Sequence, residues 1–304
     1  MIPQRTLNRA IHCGGIGLHS GKKIELTLYP AAENSGVTFI RSGQTVEIPA
    51  KSEFVVDTRL CTTLGRDGVT ISTVEHLLSA LAGLGVDNAR IEVGGGEIPI
   101  MDGSAAPFVF LIQCAGIREQ KAAKKVIRIL RKVAIEDGDK HCALRPASGF
   151  RVSYLLDYDH PLLNNRHVSI DFSRQAYTRE VSRARTFGFL HEIEALQKAG
   201  LALGGSLENA IGLDSYRVVN EGGLRYQDEC VRHKILDTLG DLSLAGLPIV
   251  GAFEGARTGH ACNHQLVEAL LADPSAYRVE SLVRSPGDRE EVAQPFAASA
   301  AAAL

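Results

Sequence analysis

His233 and Asp237 stand four residues apart in VRHKILDTLGDL. On a helix that spacing stacks an imidazole and a carboxylate on one face. Such a pair can ligate a divalent metal, although two ligands seldom hold one alone. A third candidate lies far upstream in STVEHLLSALAGLG, where Glu75 directly precedes His76. Two histidines and one aspartate leave the fourth position of a tetrahedral zinc site open for water, and the adjacent Glu75 could deprotonate that water. The chemistry would be zinc-dependent hydrolysis, at a site assembled from two distant segments.

Each part also has an ordinary reading. Ser72-Thr73-Val74-Glu75 fits a capping box, with Glu75 bonding back to the Ser72 amide. His233 and Asp237 could be a simple contact one turn apart. Against that, Ile235, Leu236 and Leu239 mark an otherwise apolar helix, where a histidine and an aspartate need partners. Asp241 extends the same polar stripe by one more turn. His260 opens a later helix in Thr258-Gly259-His260. If the two helices pack together, Asp241 would hydrogen-bond His260 and stabilise its imidazolium, which could then protonate a leaving amine.

Other glycine- and histidine-rich stretches carry less. The run from His12 to Lys23 fails the phosphate-loop pattern, because the glycine spacing is wrong and Lys23 follows Gly21-Lys22. It fails GxGxxG at Ser20 and reads as a turn between strands, with His19 as a candidate ligand contact. Gly94-Gly95-Gly96 and Asp102-Gly103-Ser104 read as turns.

The elements that must position these residues alternate between strands and helices. KKIELTLYP places Ile24, Leu26 and Leu28 on one face and Lys23, Glu25 and Thr27 on the other. A helix is expected over 73–84, a strand over 89–93, and a helix in PFVFLIQCAG stopped by Gly116. The second half predicts strands at KKVIRIL, RKVAIE, CALRP, RVSYLLDY, HVSIDF and IVGAFEGA. Helices are expected over 229–243 and 260–272. Val74-x-His76 is echoed by Val231-x-His233, and at the same displacement Gly83 meets Gly240 and Asp237 meets Ala80. Two related α+β domains follow, 1–123 supplying Glu75 and His76, and 124–280 supplying His233, Asp237 and His260. A symmetric helix pair would then offer three ligands and not four. Residues 187–220 read as an insertion, with a helical FLHEIEALQKAG and a strand-like AIGLDSYRVV. Residues 281–304 read as a mobile, Ala-rich tail.

Composition narrows the class. A formal net charge of -2, from 33 basic and 35 acidic residues, gives no global basic field, so no nucleic-acid partner is expected. The N-terminal MIPQRTLNRAI lacks the apolar stretch of a signal peptide, and no apolar run approaches the ~20 residues of a membrane span. The six cysteines form no CxxC pair and read as reduced thiols of a cytoplasmic protein.

These segments together resemble the bacterial UDP-3-O-acyl-N-acetylglucosamine deacetylase family of lipid A synthesis. The stretches that carry the resemblance are QRTLNRAIHCGGIGLHSGK, STVEHLLSALAGLGVDNARIEV, EIPIMDGSAAPF, SRARTFGF, LGGS, VRHKILDTLGDL and Gly259-His260. The resemblance implies an α+β fold of two similar βααββ sandwiches, helices packed between two sheets, with the active site at their junction. It implies a zinc amidase that removes acetyl from UDP-3-O-(3-hydroxyacyl)-N-acetylglucosamine, with Fe2+ as an alternative metal. His76, His233 and Asp237 would be the ligands and Glu75 the base. His260 would be the acid, held charged by Asp241, and Thr186 would stabilise the oxyanion. Lys234 would act near the sugar and diphosphate, and His19, Cys61, Phe187 and Gly205 would also touch substrate. The insertion would form an apolar passage for the acyl chain, and the chain is taken to be a monomer. Arg257 stands where the family leads one to expect lysine, and His264 where it leads one to expect asparagine. The nearest alternatives are zinc-dependent cleavage of another acylated amine, and a sugar-nucleotide binding module with a structural metal.

Overall fold

In the computed structural model, residues 1–283 are described. The tail reading therefore falls, beyond residue 283, outside the described residues. The architecture is α+β. Alternation in the strand Lys23–Pro30 does what its sequence predicts: Ile24, Leu26 and Leu28 are buried at 3%, 0% and 0% exposure. That strand sits second in a five-stranded sheet ordered Ile11–Ile16, Lys23–Pro30, Ala89–Val93, Val37–Arg41, Glu47–Pro49. A smaller sheet of Val55–Asp57, Thr63–Arg66 and Val69–Ile71 leads into helix α1, Glu75–Leu84. Helix α2, Ala106–Ala115, follows and ends at Gly116, whose φ of 74° suits a residue without a side chain.

The second half is organised around the strand Ile249–Ala256, whose residues alternate between buried and half-buried. It pairs antiparallel with Lys140–Arg145 and parallel with Phe150–Leu156 and Lys125–Ile129. Val133–Asp137, Arg166–Asp171 and Tyr277–Ser281 complete this seven-stranded sheet. A short helix α3, Arg174–Ala176, runs into a π-helical turn at Tyr177–Val181. In the insertion, the strand Phe187–Phe189 precedes helix α4, Leu190–Lys198, and pairs with Ile211–Leu213. The strand-like reading of 210–219 thus shrinks to three residues, because Asp214 turns the chain by accepting the Tyr216 and Arg217 amides. Helices α5, Glu229–Ser243, and α6, His260–Ala272, lie where their periodicity placed them. Among the described residues, every strand pairing joins partners on the same side of residue 124.

Helices meet in the middle of the molecule. Helix α1 packs on α5 and α2, and α5 and α6 pack on the inner faces of second-half strands. Two glycines set how closely. A β-carbon on Gly240 would stand 2.1 Å from the Glu75 carbonyl oxygen, so α5 crosses directly against the backbone of the first turn of α1. A β-carbon on Gly83 would meet the Tyr177 ring at 2.2 Å. The sequence echo between Gly83 and Gly240 therefore marks two close approaches on the two central helices.

One local expectation is overturned. Helix α1 begins at Glu75 with Val74 as its N-cap, and no side chain caps it. Ser72 bonds the Gly96 carbonyl, and Glu75 accepts the Thr62 amide. The capping box fails because a loop amide from elsewhere in the fold claims the carboxylate first.

Gly240→Ala should destabilise the protein by roughly 1–3 kcal/mol, the cost of overpacking against an immobile backbone. A thermal unfolding midpoint equal to that of the parent would show that α1 and α5 separate freely and that their contact is not close-packed.

Candidate metal centre and its flanking acid and base

Helix α1 offers His76 and helix α5 offers His233 and Asp237 at one point of their crossing. One potential ligand atom from each lies within 4.8 Å of the others, and all three residues are buried. His233 Nε2 is 3.3 Å, and His76 Nε2 3.5 Å, from Asp237 Oδ1. The two rings stand edge to face with centroids 4.9 Å apart.

This cluster is short of protons. His233 Nδ1 lies 3.0 Å from the Ala184 carbonyl, which can only accept, so that nitrogen carries the hydrogen and Nε2 presents a lone pair. Asp237 Oδ1 is buried without a hydrogen-bond donor among the described residues. A lone pair facing a buried carboxylate oxygen is unfavourable unless a cation lies between them. Two imidazole nitrogens and one carboxylate oxygen are also the donor set that zinc or iron(II) accepts. The residues fit a divalent metal.

Charges around the cluster confirm its polarity. Burial is the largest influence on Asp237 and would raise its pKa, but positive neighbours, Lys234 and His260 among them, outweigh it and hold the carboxylate well below its usual range. Lys234 donates to Asp237 Oδ2 at 2.8 Å. Burial, aided by His76 and Lys234, lowers the His233 pKa to about 4, so the ring is neutral at pH 7. A neutral imidazole is the form that ligates.

Base and acid candidates flank this cluster. Glu75 is 3% exposed, and burial raises its pKa against the opposing pull of His260 and His76. His260 Nε2 lies 4.0 Å from Glu75 Oε1, and its Nδ1 meets Asp241 Oδ2 at 2.9 Å. Burial disfavours the charged His260 ring, but the charge and hydrogen bond of Asp241, with Glu75 and Asp237, prevail and lift its pKa to about 9. The contact required between α5 and the start of α6 is thus present. Asp241 also accepts from Asn263 Nδ2 at 2.9 Å and from Thr62 Oγ1 at 2.6 Å.

A cavity of about 640 Å³ opens onto Glu75, His76, His233, Asp237 and His260. Of the remaining sequence candidates, His19, Cys61, Thr186, Phe187 and Lys234 line it as well. Gly205 does not: it is exposed, beside Leu18 and Ala202. The insertion reaches the cavity wall through Phe187 and Phe189, and its Leu203 and Gly204 amides bond the His19 and Leu18 carbonyls. Glu97 fixes the same turn by accepting the His19 and Ser20 amides, at 2.7 and 3.0 Å. Arg257 is engaged by Asp139 at 2.5 Å and by Asp157. His264 turns toward Glu268, 3.5 Å away.

Sequence reasoning missed the groups that hold these side chains. The roles of Thr62, Asn263, the Ala184 carbonyl and the Arg185–Glu229 pair were not read from motif or spacing, although Ala184 and Arg185 lie in SRARTFGF. Arg185 and Glu229 are buried and joined at 2.8 Å, which clamps the segment carrying Ala184 and Thr186 to the first turn of α5. An acidic residue opening a helix was the one available clue to Glu229.

The site thus combines two histidines and one aspartate that could hold a metal with a buried carboxylate and an aspartate-paired imidazole at their edge. The chain belongs to the UDP-3-O-acyl N-acetylglycosamine deacetylase family, whose model matches residues 4–272. A UDP-3-O-acyl-N-acetylglucosamine deacetylase of Shewanella loihica is 54% identical over the full length of both chains. A protein of the same name from Acidithiobacillus ferrooxidans is 56% identical across 91% of this chain and 92% of its own. One from Myxococcus xanthus is 52% identical across 91% of this chain and 88% of its own.

His76→Ala, His233→Ala and Asp237→Ala should each weaken metal affinity by more than about 100-fold, beyond the loss expected for an outer partner. Metal analysis after dialysis reads this, and normal content in two of the three would place the metal elsewhere.

Proposed function

We propose that this chain hydrolyses the N-acetyl group of UDP-3-O-(3-hydroxyacyl)-N-acetylglucosamine, releasing acetate and a free amine, a reading supported by relatives named UDP-3-O-acyl-N-acetylglucosamine deacetylases. The observation that carries the reading is the pairing of Glu75 and His260, 4.0 Å apart, beside the His76–His233–Asp237 cluster. Amide hydrolysis needs a base for the attacking water and an acid for the departing amine. The two side chains supply both at one edge of one cavity.

Zinc held by His76, His233 and Asp237 would supply Lewis acidity and make water acidic near neutral pH. Glu75 would take the proton of the attacking water, its basicity raised by burial. His260 would hold a proton on Nε2, its ring charged by Asp241 at Nδ1, and pass it to the amine nitrogen. The Thr186 hydroxyl would donate to the oxyanion. Lys234 would meet the sugar and diphosphate side of the substrate, with His19, Cys61 and Phe187 along the same walls. The acyl chain would run toward the insertion, past Leu18, Phe187 and Phe189. A division into domains at residue 124 belongs to the same reading and is supported by strand pairings that remain within each half. The proposed setting is cytoplasmic, in keeping with six free cysteines. No helix among the described residues is long and apolar enough to cross a membrane.

The direct test compares acetate release from the UDP-sugar with release from simple N-acetyl amines. The account expects turnover of the first and little of the second, and equal rates would overturn the substrate assignment. Glu75→Gln should retain metal and lose at least 100-fold in kcat. Full activity would remove Glu75 from the mechanism.

His260 also predicts a pH profile. Its charged form persists from its ordinary 6.5 up to about 9, so the basic limb of kcat/KM should fall near pH 9. The same shift stabilises the fold below about 6.5, and that contribution is lost as pH rises through about 9. Asp241→Asn leaves burial without its main opponent and should move the limb downward. A limb that stays near 9 in that variant would assign it to another group.

A further inference from the structure

Thr62 stands at 1% exposure in the loop between the strands Val55–Asp57 and Thr63–Arg66, and it touches both proton-handling arms of the site. Its amide donates to Glu75 Oε2 at 3.0 Å. Its hydroxyl donates to Asp241 Oδ1 at 2.6 Å. Its carbonyl accepts the Val74 amide at 3.3 Å. One residue thus joins the opening of α1 to the far end of the polar stripe on α5. From these contacts we propose that Thr62 is a positioning residue for the proton transfers, holding the Asp241 carboxylate in the orientation that keeps His260 directed at the reacting atoms. The inference rests on the reading of His260 as the acid.

The orientation of the Asp241 carboxylate is set by which of its lone pairs find donors. Asp241 is buried at 1% exposure and accepts three bonds. His260 Nδ1 and Asn263 Nδ2 share Oδ2, at 2.9 Å each. Thr62 alone among the described residues reaches Oδ1. Without that donor, Oδ1 becomes a buried, unpartnered anionic oxygen, and the carboxylate gains by rotating toward any other donor. Rotation withdraws Oδ2 from His260. The Nδ1 bond is what sets the plane of the ring, so Nε2 would lose its alignment with the cavity. Small misplacements of a proton donor are costly in rate while leaving substrate affinity intact. Glu75 is affected differently, because it is held by the Thr62 amide, which any side chain at this position retains.

Thr62→Val keeps shape and the amide but deletes the hydroxyl, and Thr62→Ser keeps the hydroxyl. The measurement is kcat and KM for deacetylation by both variants, by His260→Ala, and by Thr62→Val with His260→Ala, with metal content checked in each. Thr62→Val should lose about 10- to 100-fold in kcat, the range for a buried hydrogen bond to a charged group. KM should stay within about twofold and metal content should not change. Thr62→Ser should recover most of the rate. In the His260→Ala background the same substitution should cost less than about twofold, because the group it serves is gone. If Thr62→Val does not fold, Thr62→Ala removes the same donor with less crowding and is judged by the same criteria. Parent kinetics in Thr62→Val beside an impaired His260→Ala would overturn this inference alone. So would an undiminished loss in the double variant, which would make the role structural. Full activity of His260→Ala would overturn the acid reading itself, and this inference with it.

Discussion

The site depends on the contact between α1 and α5 at Gly240. With no side chain there, the backbone of α5 lies against the Glu75 carbonyl, where a β-carbon would sit at 2.1 Å. That approach brings Glu75 and His76 onto the face of α5 where His233, Asp237 and Asp241 recur at successive turns. A helix pair held apart by ordinary side chains would sit 8–10 Å between axes. Ligand atoms from the two helices would then be less easily gathered around one ion. The geometry of the His76–His233–Asp237 cluster is therefore a consequence of packing, and the close packing is permitted by one missing side chain.

Around this crossing, each functional side chain is held by a group from another segment. The Ala184 carbonyl sets the proton on His233. The Arg185–Glu229 pair fixes the strand end that carries Ala184. Lys234 neutralises the outer oxygen of Asp237, and the inner oxygen faces the two imidazoles. Opposite pKa shifts on two buried histidines follow from the same logic. His233 is driven neutral by burial, whereas His260 is held charged by Asp241. One imidazole is thereby suited to ligate a metal and the other to donate a proton, though both are buried.

Much of this was legible in the sequence because it lies in local spacing. His233, Asp237 and Asp241 follow the helical turn, and Glu75 adjoins His76, so side-chain type and period sufficed. The contact of His260 with Asp241 was legible only as a condition, since it needed α5 and α6 to pack. Thr62 and Asn263 left no trace, because their roles arise from a loop and a helix turn brought together by the fold. The capping box at Ser72 was misread for the same reason: a nonlocal amide displaced a local one. At Ile211–Leu213 the strand signal ran on through 219 on composition, and the Asp214 turn cut it short. Family likeness supplied Thr186, Lys234 and the substrate contacts, which no periodicity implies.

Diffraction from zinc-loaded crystals at the zinc absorption edge reads the central claim most directly. The account predicts a single strong anomalous peak bounded by Nε2 of His76, Nε2 of His233 and Oδ1 of Asp237. A peak elsewhere in the chain, with that position empty, would contradict it.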